Sequence, residues 1–179
     1  MLPEHAFLLT DTSRFPTLEA TADVAGNLGD ASVVLSTDRS DWLKDRWQSA
    51  KDMSGRSIPG PHWLAITWPP GHRITSVERI IVNYEIASCD DYSFSLVAAR
   101  GEAGGAELIH DSQVPAHSAN TVITKDGANK RVVHDMKVEN KAAAGVNYDM
   151  IRLDMWRPAT EWGTSVWSIE VFGLVEEVI

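Results

Sequence analysis

The sequence predicts an all-β fold, a single antiparallel β-sandwich. Three observations predict it. Short segments alternate apolar and polar residues with period two. Turn residues separate these segments. No window of helical length carries an apolar stripe of period 3.6. A length of 179 residues fits one domain, and a hydrophobic content of 44% suffices for a core. The reading places the sandwich over residues 17–175, with an N-terminal extension over 1–16 and a C-terminal tail over 176–179.

The elements follow in chain order. Residues 40–47 suit a short turn of helix, and residues 54–61, rich in Gly, Pro and Ser, suit a surface loop. Residues 64–68 (Leu-Ala-Ile-Thr-Trp) alternate and stop at Pro69-Pro70-Gly71. Next, Ile80, Val82, Tyr84 and Ile86 share one face; Arg79, Ile81, Asn83 and Glu85 share the other. Tyr92, Phe94, Leu96 and Ala98 repeat with period two until the glycines between 101 and 105 break the chain. Asp126-Gly127 marks a hairpin tip. Val132, His134, Met136 and Val138 then alternate with charged or polar residues. Ile151, Leu153 and Met155 oppose Arg152, Asp154 and Trp156, and Trp167, Ile169 and Val171 close the series. On each strand one face packs inward and the other meets water.

Composition narrows the function. The formal net charge of -9 repels phosphate backbones and anionic membrane surfaces, so neither nucleic acid nor membrane is an expected partner. One cysteine, Cys89, allows no internal disulfide and no thiolate zinc cluster. The opening Met1-Leu2-Pro3-Glu4-His5 has no basic n-region and reads as no signal peptide, which leaves the compartment open; a secreted parent protein would place the domain outside the cell. No enzyme is expected. Gly163-Thr164-Ser165-Val166-Trp167 lacks the second glycine of a nucleophile elbow, no phosphate-cradling glycine loop or His-Glu-x-x-His occurs, and the six histidines show no ligand spacing.

Four segments resemble a known family. Asp45-Arg46-Trp47-Gln48-Ser49 is similar to an early Thr-Arg-Trp-Ser-Ser segment, and His62-Trp63-Leu64-Ala65-Ile66 to a Gln-Trp-Leu-x-Val strand. Val82-Asn83-Tyr84-Glu85-Ile86-Ala87 with Asp91-Tyr92-Ser93-Phe94 resembles a Trp-Glu-x-Ala … Tyr-x-Ile pair. Tyr148-Asp149-Met150-Ile151-Arg152-Leu153 with Ser165 to Gly173 resembles the closing Tyr-Val-Arg-Leu … Ser-x-x-Glu-Ile-Glu-Val-Tyr-Gly. Together they resemble the discoidin, or coagulation factor 5/8 type C, domains, which include the galactose-binding carbohydrate modules of family 32. The resemblance implies a jelly-roll sandwich that binds, without catalysis, a sugar, a lipid head group or a protein through loops at one end.

Carried over residue by residue, it implies a glycan site. Trp162, in the loop after Arg157-Pro158-Ala159-Thr160-Glu161, would stack on a galactose-like ring, while Arg56, His62 and Asp91 would bond hydroxyls, Trp42 would line the pocket and Arg157 would belong to the ligand-binding set. Plain surface use is the competing reading for each, and Trp162 could instead fold back over the core rim. Trp47, Trp63 and Trp167 fall at positions that pack inside the family fold. The resemblance also implies a structural calcium, held by Asp38, Asp41, Asp45 and Glu170. Against that, Asp38-Arg39-Ser40-Asp41 lacks the family's glycine and Asp45 replaces its threonine; the aspartates then read as solvated loop residues or caps. A protein partner on the same fold is the alternative to a glycan.

Overall fold

The computed structural model describes residues 6–26, 28–49, 51–52, 54–56, 58–101, 105–139 and 146–178. Eleven strands occur among them: β1 (Phe7–Leu8), β2 (Glu19–Ala22), β3 (Trp47–Gln48), β4 (His62–Thr67), β5 (His72–Glu85), β6 (Cys89–Val97), β7 (Ala106–Asp111), β8 (Thr121–Asp126), β9 (Asn129–Glu139), β10 (Met150–Pro158) and β11 (Ser165–Glu177). They form two sheets with antiparallel pairings throughout. One runs β1-β11-β5-β9-β8 with β3 added alongside β11; the other runs β2-β4-β10-β6-β7. Among the described residues helix is limited to a short 3-10 helix over Ala31–Leu35 and the short α1 (Pro115–Ser118).

The predicted inward faces do meet between the sheets. Ile80, Val82 and Tyr84 of β5 face Leu64 and Ile66 of β4, Phe94 and Leu96 of β6, and Ile151, Leu153 and Met155 of β10 within one core. Burying each such side chain contributes about 1.5–3 kcal/mol. Trp68 joins them, its indole N–H donating to the Leu9 carbonyl at 3.1 Å. The hairpin tip at Asp126-Gly127 links β8 to β9, with Asp126 opposite Asn129. Gly127 takes a φ of 57°, the left-handed value that such a turn requires.

Several expectations need correction. Phe7 and Leu8 pair with Gly173 and Phe172, and Leu9 and Phe15 lie in the core, so much of the supposed extension is part of the sandwich. At the other end β11 continues to Glu177, past the boundary set at 175. Ile86 does not share the face of Tyr84: β5 ends at Glu85 and Ile86 points to solvent. Ile81, Asn83 and Glu85, assigned to a wet face, are buried. Trp63 is half-buried on the outside of β4 and takes no part in the core. Trp167 is buried outside the main core, because a bulge between Val166 and Ser168 turns it over relative to Val166 and Ile169. Residues 102–104 and Ser57, within the predicted chain break and surface loop, lie outside the described residues. The predicted helical turn is a single turn over residues 41–45, closed by Asp45 N–H donating to the Asp41 carbonyl at 2.9 Å.

Candidate functional site

Strand β3 is only two residues long, yet it organises one end of the sandwich. Its pairing of Gln48 with Ser165 and of Trp47 with Val166 carries the preceding arginine underneath the loops. Arg46 is 2% exposed. Its Nη1 donates to Ser165 Oγ at 2.6 Å and lies 3.6 Å from Glu85 Oε2, while Nε donates to the Trp42 carbonyl at 2.8 Å. Burial pulls the guanidinium below its ordinary pKa, and the Glu85 carboxylate opposes that shift. Glu85 also accepts from the Ala87 N–H at 3.2 Å. A buried charge is tolerated when it is paired and hydrogen-bonded, and here both partners are.

Aromatic rings stand over this pair. The Arg46 guanidinium lies 3.9 Å from the centroid of the Trp42 ring, and Trp42 is 55% exposed. Trp162 is also 55% exposed. It sits in the turn closed by Thr160 and Gly163, which Gln48 pins by donating from Nε2 to the Trp162 carbonyl at 2.9 Å. Lys51 Nζ lies 6.0 Å from the Trp162 ring centroid. These residues, with Leu28 and Ile86, enclose an open cleft of about 390 Å³. That volume falls in the range of small-molecule sites, about 300–1,000 Å³. Apolar ring faces with a few fixed polar groups suit a flat ligand bearing several hydroxyls.

The structure therefore brings Trp42 and Trp162 together and leaves the other predicted ligand residues elsewhere. Arg56 is held to Asp52 at 3.0 Å in an exposed turn. The Ser54 hydroxyl and the Arg56 N–H keep that Asp52 carboxyl down at about 2. His62 is buried and presents Nδ1 to Asp23 Oδ2 at 2.8 Å and Nε2 to the Ile58 carbonyl at 3.2 Å, so both ring nitrogens face partners within the protein. Asp91 on β6 pairs in register with Arg157 on β10, away from the cleft. Arg46, Gln48, Lys51 and Glu85 were not foreseen as site residues. The signal for Arg46 was present, an arginine directly before a core tryptophan, but its meaning depends on β3 docking on β11.

The predicted calcium ligands do not converge. Asp38 Oδ1 accepts from Ser40 N–H at 2.9 Å, Asp41 Oδ1 from Leu43 N–H at 2.9 Å, and Asp45 Oδ2 from Asp41 N–H at 2.7 Å. These are turn and cap bonds. Glu170 instead accepts from Asn83 Nδ2 at 3.2 Å. Among the described residues no three His, Cys, Asp or Glu side chains gather as a metal site.

No family model matches the chain, and no curated protein matches it. Solved structures do. Chitosan-binding module 1 of a chitosanase/glucanase from Paenibacillus sp. IK-5 is 20% identical, with a TM-score of 0.55 over 87% of this chain and 94% of that one. Module 2 of the same enzyme, solved with chitotriose, is 19% identical, with a TM-score of 0.55 over 87% and 95%. Allantoicase from Saccharomyces cerevisiae is 16% identical, with a TM-score of 0.59, over 97% of this chain but only 45% of that one. At such identities the likeness is one of fold. Joined to the two-sheet topology, it shows that the chain has the jelly-roll β-sandwich fold of these structures.

Proposed function

We propose that the chain is a non-catalytic carbohydrate-binding module that holds a glycan in the Trp42–Trp162 cleft. The observation that carries this reading is the pair of half-exposed tryptophans around a floor of Arg46, Glu85 and Gln48. Pyranose C–H faces stack on indole rings, and hydroxyls exchange hydrogen bonds with fixed amide and charged groups. The chitosan-binding modules of like fold support a sugar as the ligand class.

The charges bear on which sugar. Arg46 and Lys51 line the cleft against a single carboxylate, Glu85, which already faces Arg46 and the Ala87 N–H. A protonated glucosamine would meet more positive than negative charge there. A neutral, galactose-like pyranose meets hydrogen-bonding groups without that repulsion. Affinity of one module is expected to be weak, because a shallow cleft buries little of the ligand.

The test is a glycan array spanning neutral, N-acetylated, cationic and acidic sugars, probed with and without calcium. Binding to neutral galactose-terminated glycans, abolished by Trp162→Ala and weakened by Trp42→Ala, is the expected result. An array blank under both conditions would overturn the assignment.

A further inference from the structure

The Thr160–Gly163 turn has two sides, and the cleft described above occupies only one. On the other side lies a second concavity of about 220 Å³, whose lining includes Trp156, Glu161, Pro59 and Pro158. Consecutive residues divide between the two. Gln48 lines the first cleft and Ser49 the second; Trp162 lines the first and Glu161 the second. The two hollows are thus separated by the thickness of one turn. That turn is pinned from both sides, by Gln48 Nε2 on the Trp162 carbonyl at 2.9 Å and by Thr164 N–H donating to Ser49 Oγ at 3.0 Å.

The second hollow has the makings of a sugar subsite. Trp156, near the end of β10, is 52% exposed and offers a ring face to the hollow. Glu161 is exposed. Pro59 and Pro158 supply flat apolar walls. His62, buried in the same wall, is fixed by Asp23 and the Ile58 carbonyl and so gives the hollow a rigid side. An aromatic face, a carboxylate able to accept from hydroxyls and a firm wall repeat the chemistry of the first cleft.

We infer that one glycan chain crosses the Thr160–Gly163 turn, with one sugar unit on Trp162 and a later unit on Trp156, so that the module reads a run of linked sugars and not a single terminal residue. This rests on the proposed carbohydrate-binding function and extends its site. The occupant of the second hollow is the same glycan because the two hollows share one turn and adjacent residues line both.

The experiment is titration calorimetry with β-1,4-linked galactose and β-1,4-linked N-acetylglucosamine oligomers of one to six units. Wild-type protein is compared with Trp156→Ala and Trp162→Ala, each first checked for an unchanged melting temperature. Affinity for one of the two series should rise at least about tenfold from monomer to longer oligomer, since the second contact becomes intramolecular. Trp156→Ala should erase that rise while leaving monomer affinity intact, and Trp162→Ala should lose both. Equal affinity for monomer and oligomer, or a rise that survives Trp156→Ala, overturns the crossing and leaves the single-cleft module standing. No binding of any oligomer by the wild type, together with a blank array, overturns the module itself.

Discussion

At the loop end Trp42 and Trp162 stand half exposed over a paired Arg46 and Glu85, whereas between the sheets Tyr92, Phe94, His110 and His134 pack ring against ring with almost no exposure. In the buried group the His110 and His134 centroids are 4.8 Å apart and those of Phe94 and His134 are 5.1 Å apart. Tyr92 O–H donates to His134 Nε2 at 2.6 Å, and His134 Nδ1–H donates to the Ile80 carbonyl at 2.9 Å. Both regions combine aromatic rings with groups that can carry charge. They differ in where the polar atoms find partners and in how much ring face is left over. Ring surface spent inside the fold contributes stability; ring surface left at a rim is available to a ligand.

Truncation breaks that comparison most sharply. Phe94→Ala should cost about 4 kcal/mol, since it removes a fully buried aromatic and leaves a cavity. Trp162→Ala should shift stability by no more than about 0.5 kcal/mol, because its ring is largely in solvent. Urea denaturation of both variants checks this. Equal losses in the two would mean that Trp162 is part of the packed structure and not of a binding surface.

The floor of the cleft should behave as core, although it lies at the site. Arg46→Ala leaves Glu85 buried without its partner and should cost about 3 kcal/mol. Arg46→Met combined with Glu85→Gln should recover much of that loss, because neither side chain then carries a charge to be desolvated. A loss under about 1 kcal/mol for the single variant would show that the pair is effectively solvated, by the usual magnitude for exposed ion pairs. The double variant should still bind sugar less well than the wild type, since both hydrogen-bonding groups have changed.

These contrasts also mark how far the sequence could be read. The central strands announce themselves: β4, β5, β6, β9 and β10 each carry period two in apolar residues that pack inward. β1 and β3 have two residues each, too few to show any period, and form only because β11 is there to receive them. β8 is exposed along most of its length, so no buried face imposes an alternation on it. The site follows the same logic. Trp162 and Trp42 were legible as aromatics in loops. Arg46, Gln48 and Glu85 were not, because the contacts that bring them together span 119 and 114 residues in the cases of Arg46–Ser165 and Gln48–Trp162. Trp167 misled for a local reason: a bulge reverses the alternation within β11, and a bulge leaves no mark in a period-two pattern.

A small effect at neutral pH belongs to His110, and it sharpens the comparison by adding acid. Burial and the neighbouring His117 hold His110 down to about 4, with Asp111 opposing; burial holds His134 down to about 3, with Asp135 and its bond to the Ile80 carbonyl opposing. Both values lie below the ordinary 6.5, so the unfolded chain binds protons first as the pH falls. The stability tied to these neutral rings is complete above pH 6.5 and declines as the pH drops toward 4 and then 3, by about 1.4 kcal/mol per histidine per pH unit. His110 Nε2 is buried and has no hydrogen-bond partner among the described residues, so His110→Phe removes that polar atom while keeping a flat ring among Tyr92, Phe94 and His134. At pH 7.5 the variant should differ from wild type by less than about 1 kcal/mol. Between pH 6 and pH 5 its loss of stability should be shallower by one histidine's share, read from urea midpoints at each pH. The rim tryptophans contain no titrating group, so Trp162→Ala should leave the slope unchanged. Identical slopes in His110→Phe and wild type would show that His110 is already protonated in the folded protein or is reached by solvent, and that the buried aromatic group is wetter than its packing indicates.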